Sequence, residues 1–248
     1  MHNTNSVIRF VLIMTFIVAM VLALMQNGLK EIHEKNESLY SKKATLAAIS
    51  NQLDINFSKI TNDQVQEIFT NQIEQLVIDA NGEIISQEDL EGRGVKGGKA
   101  ENLDLGREQK KAQEERLLPL YVYTKSDGSK YYIVYTRGKG LWDEIWGNIA
   151  LEQDLKTIAG VSFDHKAETP GLGAEIKDNA EFKKQFIGKK TYSEDGAYTS
   201  ILVRKGGAKD PVHEVDGISG ATITGDGVTE MLVRGLKAYE PYLKTIKG

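Results

Sequence analysis

Cysteine is absent from this sequence. The chain therefore has no disulfide, no sulfur ligand for zinc or an iron–sulfur cluster, and no thiol nucleophile. The absence leaves the compartment open, because exported bacterial proteins can also lack cysteine. Histidine is nearly as scarce. His2, His33, His165 and His213 are the full complement, and no two form an HxxxH or HExxH pair, so a histidine-rich metal site is not expected. Neither sign of charge dominates: the net charge is -4, which offers nucleic acid no electrostatic footing. The remaining composition is ordinary, 40% hydrophobic and 27% charged, and 248 residues suffice for one large domain or two small ones.

One stretch departs from this polarity. "FVLIMTFIVAMVLALM", Phe10 to Met25, carries no charge. With Val7 and Ile8 beyond Arg9 it approaches the ~20 apolar residues that span a bilayer, and Arg9 can snorkel to the interface. A cleaved signal peptide is the alternative. The run is long for the apolar core of such a peptide and no A-x-A site closes it, so an uncleaved anchor is expected. Orientation stays open. Arg9 precedes the span and Lys30, Lys35, Lys42 and Lys43 follow it, which by simple counting puts the large domain in the cytoplasm. Long domains, however, translocate largely regardless of charge.

After the anchor, "LKEIHEKNESLYSKKATLAAIS" reads as a helix leaving the membrane, without Pro or Gly beyond Gly28. "TNDQVQEIF" reads as a second helix with Thr61 or Asn62 as its N-cap. Leu76 to Ile85 carries a hairpin signal at Asn81-Gly82. Glu88 to Leu117 is Gly-rich and then highly charged, an exposed excursion of loop and solvated helix. From Leu118 the pattern turns to strands: "LPLYVYT" and "KYYIVYTRG" around a turn, then "LWDEIWGNIAL" and "LKTIAGVSFDH" around "EQD". "DNAEFKKQFIG" is a short amphipathic helix and "AYTSILVRK" another strand. From Gly227 to Leu243 a last helix aligns Val228, Leu232, Leu236 and Tyr239 on one face. Strands that cluster, with helices mostly at the ends, give an α+β class, an antiparallel sheet with flanking helices behind a single N-terminal transmembrane helix. The expected divisions are an anchor at 1–29, a helical and hairpin membrane-proximal region at 30–117 and a sheet domain at 118–248.

Three strings invite chemistry. Gly92-Arg93-Gly94-Val95-Lys96-Gly97 matches G-x-G-x-x-G, but neither a strand before it nor a helix opening inside it is expected, so a dinucleotide site is disfavoured. Gly217-Ile218-Ser219-Gly220-Ala221 falls one residue short of the G-x-S-x-G elbow. No histidine follows Ser219 and no parallel sheet is expected, which disfavours a hydrolase. The third is "SGATITGDG". Its structural reading is a strand, a turn and a cap, with Thr224 capping the last helix and Asp226 in the first turn. Its functional reading is that small residues let a bulky group reach the Thr222 hydroxyl, beside a helix N-terminus that suits phosphate.

"DGISGAT", Asp216 to Thr222, resembles the flavinylation motif of FMN-binding domains in bacterial respiratory complexes. "ETPGLGAEI", Glu168 to Ile176, resembles the ring-contacting loop of those domains, and "GKGLWDEIWG", Gly138 to Gly147, is similar to another of their segments. With "VRKGGAK" and "HEVDG" the resemblance runs in order from about Tyr121 to Leu243, and nothing between about Ala44 and Arg116 takes part in it. The family most similar is the C subunit of sodium-translocating NADH:quinone reductases. The related G subunit of the Rnf complex fits the stretch before the domain less well.

The resemblance implies that a flavin transferase moves FMN from FAD onto Thr222 as a phosphoester. Asp216, Ser219, Gly220 and Ala221 complete the motif, and Thr224 is not the motif position. It sets Trp142 and Leu172 against the flavin ring, which needs apolar walls and a few hydrogen-bond donors. Pro170, Gly171 and Gly173 make a tight loop able to bring backbone N–H groups to the ring edge, and Thr169 and Glu168 can reach its polar atoms. Simple solvent exposure is an equal reading for Glu168. Trp146 is expected in the core, His213 in a structural role, and Lys205 and Lys209 in solvent. The implied function is single-electron transfer in a membrane complex, without NADH or cluster ligands of its own. The implied donor is an iron–sulfur centre in membrane subunits, and the implied acceptor is a covalent FMN in the B subunit. The implied location is the bacterial inner membrane with the FMN domain on the periplasmic side. The rival readings are an Rnf-type or stand-alone flavinylated carrier, and a membrane-anchored ligand-binding or sensor domain without cofactor.

Overall fold

The structure, a computed structural model, describes residues 4–246. The chain divides into two compact units between Tyr40 and Ser41. Helix α1 (Thr4–Ala47) is continuous over 44 residues. Its residues 4–38 are all exposed, and it is long and apolar enough to cross a membrane. An exposed run of Leu, Ile, Val and Phe of this length is a surface that water does not favour.

The second unit is built on one sheet. Helix α2 (Asn62–Asn71) starts with a full capping box, Thr61 Oγ1 taking the N–H of Gln64 while the Gln64 side chain takes that of Thr61, so Thr61 is the cap. Strand β1 (Ile73–Ile78) follows, then the short helices α3 (Gln87–Gly92) and α4 (Leu105–Glu108), and then strands β2 (Leu118–Thr124), β3 (Lys130–Lys139), β4 (Glu144–Leu151) and β5 (Ile158–His165). All neighbours pair antiparallel in the order β1-β2-β3-β4-β5. Helices α5 (Glu175–Asp178) and α6 (Ala180–Lys184) lead to β6 (Leu202–Arg204) and β7 (Glu214–Asp216), which pair parallel. Helices α7 (Thr222–Ala238) and α8 (Glu240–Ile246) end the fold.

Both sheet faces are covered. Leu120, Val122, Val134, Ile149, Leu151 and Phe163 alternate onto one face and share a core with Val228, Leu232 and Leu236 of α7 and with Phe182 and Phe186. The opposite face carries Tyr121, against which Phe69 of α2 packs edge-on at 5.6 Å. There the fully buried Leu46 and Ile49 close the end of α1, and the Gln52 amide donates to Ala159 O at 3.2 Å. Tyr239 reaches into the sheet from α7's end. Its hydroxyl donates to Pro119 O at 2.8 Å, takes the Tyr135 N–H at 3.2 Å and lies 3.1 Å from Tyr135 O.

Several boundaries differ from the expected ones. The turn at Asn81-Gly82 forms, but its return arm is a single bridge, Ile78 to Ile84, and the main partner of β1 is β2. The break expected at 117/118 thus falls between two paired strands of the second unit. The excursion at 88–117 is not simply exposed: Leu90, Val95, Ala100, Leu103 and Leu117 are all buried. Its few apolar residues follow neither the helical nor the strand period, so their burial is not signalled by the sequence. "AYTSILVRK" yields only the three residues of β6.

Candidate functional site

Three segments converge at the end of the sheet where β3 turns into β4. In that turn Gly140 N–H donates to Asp143 O at 2.8 Å, and Trp142 stands at the tip with 65% exposure. Its indole N–H donates to Thr169 Oγ1 at 3.1 Å and its backbone N–H to Glu168 Oε1 at 2.9 Å. The second segment follows β5. Thr169 O accepts the N–H groups of Leu172 and Ala174, both at 3.1 Å, and this tight turn presents the Leu172 side chain, which is 42% exposed. Glu168 is buried at 5%, which excludes its solvent-exposed reading. Its backbone N–H donates to His165 Nδ1 at 3.2 Å and its Oε2 accepts the Thr224 hydroxyl at 2.7 Å.

The third segment is the motif itself. Asp216 Oδ1 accepts Ala208 N–H at 2.6 Å and its own N–H donates to Gln185 Oε1 at 2.8 Å, so Asp216 fastens the 204–208 turn to the motif. Neighbouring Glu214 accepts the N–H groups of Lys209 and Asp210 and the Arg204 guanidinium. Those bonds, the backbone ones foremost, hold its carboxyl down at about 2. Ser219 and Gly220 are exposed and Ala221 is buried. Gly220 sits at φ +76°, and a methyl there would lie 2.6 Å from Leu172 Cδ2, so both backbone and neighbour require glycine.

Helix α7 begins at Thr222, earlier than the expected Gly227, and Ala221 gives it no side-chain cap. Thr224 does not cap it. The residue lies in the first turn, 1% exposed, with its hydroxyl turned to Glu168, and the first turn holds no acid, Asp226 lying beyond it. Among the described residues no side chain is seen to accept from the first N–H groups of this helix. Thr222 is half-buried beside Ile223, which is 57% exposed.

The structure thus brings Trp142, Glu168, Thr169, Leu172, Gly173, Gly220 and Thr222 to one place, while Asp216 supports it from outside. Trp142 is excluded from the core, and Trp146 is half-buried under the Arg137 guanidinium at 5.9 Å. His213 is structural, its Nδ1 lying 2.6 Å from Lys190 O. Sequence reasoning missed Ile223 and the Glu168–Thr224 bond. Ile223 had a signal, since it is apolar yet out of phase with the buried stripe of Val228, Leu232 and Leu236. The Thr224 contact spans 56 residues and had none.

Comparison with known proteins accords with this geometry. Residues 140–237, which hold all three segments, match the family model of the FMN-binding domain. Over 247 residues the chain is 30% identical to the C subunit of the Na(+)-translocating NADH-quinone reductase of Neisseria meningitidis serogroup B, covering 96% of this chain and 92% of that one. The chain belongs to the C-subunit family of these reductases. The C subunit of Vibrio anguillarum is 36% identical over 171 residues, 66% of each chain. The crystal structure of the C subunit from Parabacteroides distasonis superposes with a TM-score of 0.72 at 32% identity, covering 87% of this chain and 96% of that one. NqrC of Shewanella oneidensis gives 0.65 at 25% identity, covering 84% and 99%. These relatives bear out the α+β fold and the resemblance to the C-subunit family. An FMN-binding domain behind one apolar N-terminal helix is a membrane-anchored arrangement.

Proposed function

We propose that the chain is the electron-relaying subunit of a Na(+)-translocating NADH:quinone oxidoreductase, with FMN joined to Thr222 through a phosphoester. One observation carries the reading. A half-buried threonine opens a 17-residue helix that no side chain caps, and exposed Trp142, Leu172 and Ile223 stand around that end. Helix N–H groups and the macrodipole favour a phosphate there, and the apolar side chains suit a flat ring. The residues present fit the cofactor.

When bound, FMN supplies reversible electron uptake and release. The protein's part is to hold it. Thr222 tethers the phosphate, Trp142 and Leu172 wall the ring, and Thr169 fixes the indole through its hydroxyl. Trp142 and Leu172 stand 65% and 42% exposed. Walls so open would leave a held ring accessible from the surface, which would suit electron exchange between proteins. The donor is an iron–sulfur centre of the membrane subunits and the acceptor is the covalent FMN of the B subunit. A flavin transferase loads Thr222 on the periplasmic side of the inner membrane. Ion movement belongs to other subunits, since the apolar run from Phe10 to Met25 holds no charge.

The test is the intact mass of the full-length protein from cells with an active flavin transferase, together with in-gel flavin fluorescence. The expected result is a gain of FMN less one water on the peptide containing Thr222, abolished in Thr222→Val with the fold retained. An unmodified wild-type mass from those cells refutes the reading and favours the cofactor-free sensor domain.

A further inference from the structure

Glu168 engages both carboxylate oxygens inside the protein, Oε1 with the Trp142 N–H at 2.9 Å and Oε2 with the Thr224 hydroxyl at 2.7 Å. The three residues belong to the β3–β4 turn, the loop after β5 and the first turn of α7. Space is kept for the carboxylate: a methyl on Gly140 would lie 2.5 Å from Oε1, and one on Gly173 would lie 2.7 Å from Thr224 Oγ1 and collide with Oε2. Glu168 is only 5% exposed, and a carboxylate so buried is costly unless its oxygens are satisfied. The partners here are those that join the ring-wall turn to the attachment helix.

We infer that Glu168, with Thr224 as its second anchor, is a positioning residue that fixes the Trp142 wall relative to the start of α7, and not a ligand of the flavin ring. The inference rests on the reading that Thr222 carries the flavin. Thr222 and Thr224 share the first helical turn, so a bond that holds one holds the other. Trp142 is held twice, through its backbone by Glu168 and through its indole by Thr169, although its side chain is largely exposed. Glutamine can replace the strut: its Oε1 keeps the Trp142 N–H and its Nε2 donates to Thr224 Oγ1, which turns to accept. Alanine can do neither.

The experiment compares Glu168→Ala, Glu168→Gln and Thr224→Val in the full-length chain produced with and without a flavin transferase. Intact mass records loading. Amide hydrogen exchange at Trp142 reads the strut without flavin, and visible circular dichroism of the attached flavin reads the ring setting. In Glu168→Ala the Trp142 amide exchanges about tenfold faster or more and the flavin dichroism changes. Glu168→Gln restores both, and Thr224→Val shifts both in the same direction as alanine but less. Wild-type exchange and dichroism in the alanine variant overturn the inference, as does a glutamine variant as altered as alanine. Should the alanine variant not fold, unchanged values in Thr224→Val overturn it. A wild-type chain that gains no flavin refutes the Thr222 reading instead, and the exchange data then judge the strut alone.

Discussion

Replacing Tyr239 with phenylalanine tests how the sheet tolerates a proline inside it. β2 and β3 pair as far as Leu120 with Val134, and the next positions would set Pro119 opposite Tyr135. Proline has no N–H to give. The Tyr239 hydroxyl fills that place, joining Pro119 O at 2.8 Å to Tyr135 N–H at 3.2 Å. Tyr239 is fully buried, so phenylalanine keeps the ring packing and opens no cavity, but it orphans a buried carbonyl and a part-buried N–H. At ~1–3 kcal/mol for each unsatisfied group, eased by relaxation, the loss should be about 2–3 kcal/mol. In a unit of this size that lowers Tm by about 5–10 °C. Denaturant unfolding of the detergent-solubilised chain, followed by tryptophan fluorescence, measures it. Adding Pro119→Val to Tyr239→Phe supplies a backbone N–H facing Tyr135 O and should recover about 1 kcal/mol. Burial also raises the Tyr239 phenol well above its ordinary 10.0. Its share of stability is present below pH 10 and lost as pH climbs further, a loss absent from the phenylalanine variant. A cost below about 0.5 kcal/mol, or no recovery with Pro119→Val, would refute the ladder-filling account.

Two further perturbations bear on the region of Thr222. The depressed carboxyl of Glu214, about 2 against an ordinary 4.5, stabilises the fold above the ordinary value. That stabilisation is lost as pH falls from 4.5 through about 2. Glu214→Gln should therefore be less stable at neutral pH and show a shallower acid-unfolding curve in that window, read by circular dichroism against pH. Gly220→Ala should cost about 1–2 kcal/mol for the left-handed backbone and push Leu172 aside, lowering flavin loading on Thr222 as read by intact mass. Wild-type loading with an undisturbed melting curve would show that the turn is not under this constraint.

Much of the sheet was legible because its strands alternate and their turns carry Gly or Asp. β2 to β5 follow the strings read from Leu118 to His165, and the anchor declared itself by length and lack of charge. The burial within residues 88–117 was hidden, because Leu90, Val95, Ala100 and Leu103 follow neither the helical nor the strand period. The start of α7 was misplaced for a definite reason. Thr224 reads as a cap in the sequence, whereas in the structure its hydroxyl bonds the distant Glu168 and Thr222 is the helix's first residue. The family resemblance named the residues that come together at the site; for Glu168 it left ring contact and solvent exposure equally open, and the structure buries the residue with a protein donor on each carboxylate oxygen.

The dispersal of the site along the chain has a consequence for biosynthesis. Trp142, Glu168 and Thr222 meet only after β4 and β5 have paired and α7 has been laid across β3. An unfolded chain still contains S-G-A-T, but without the helix end and without the side chains that surround it in the fold. Under the proposed function Thr222 would become a site for flavin only on folding, so a flavin found there would report that the domain beneath it has folded.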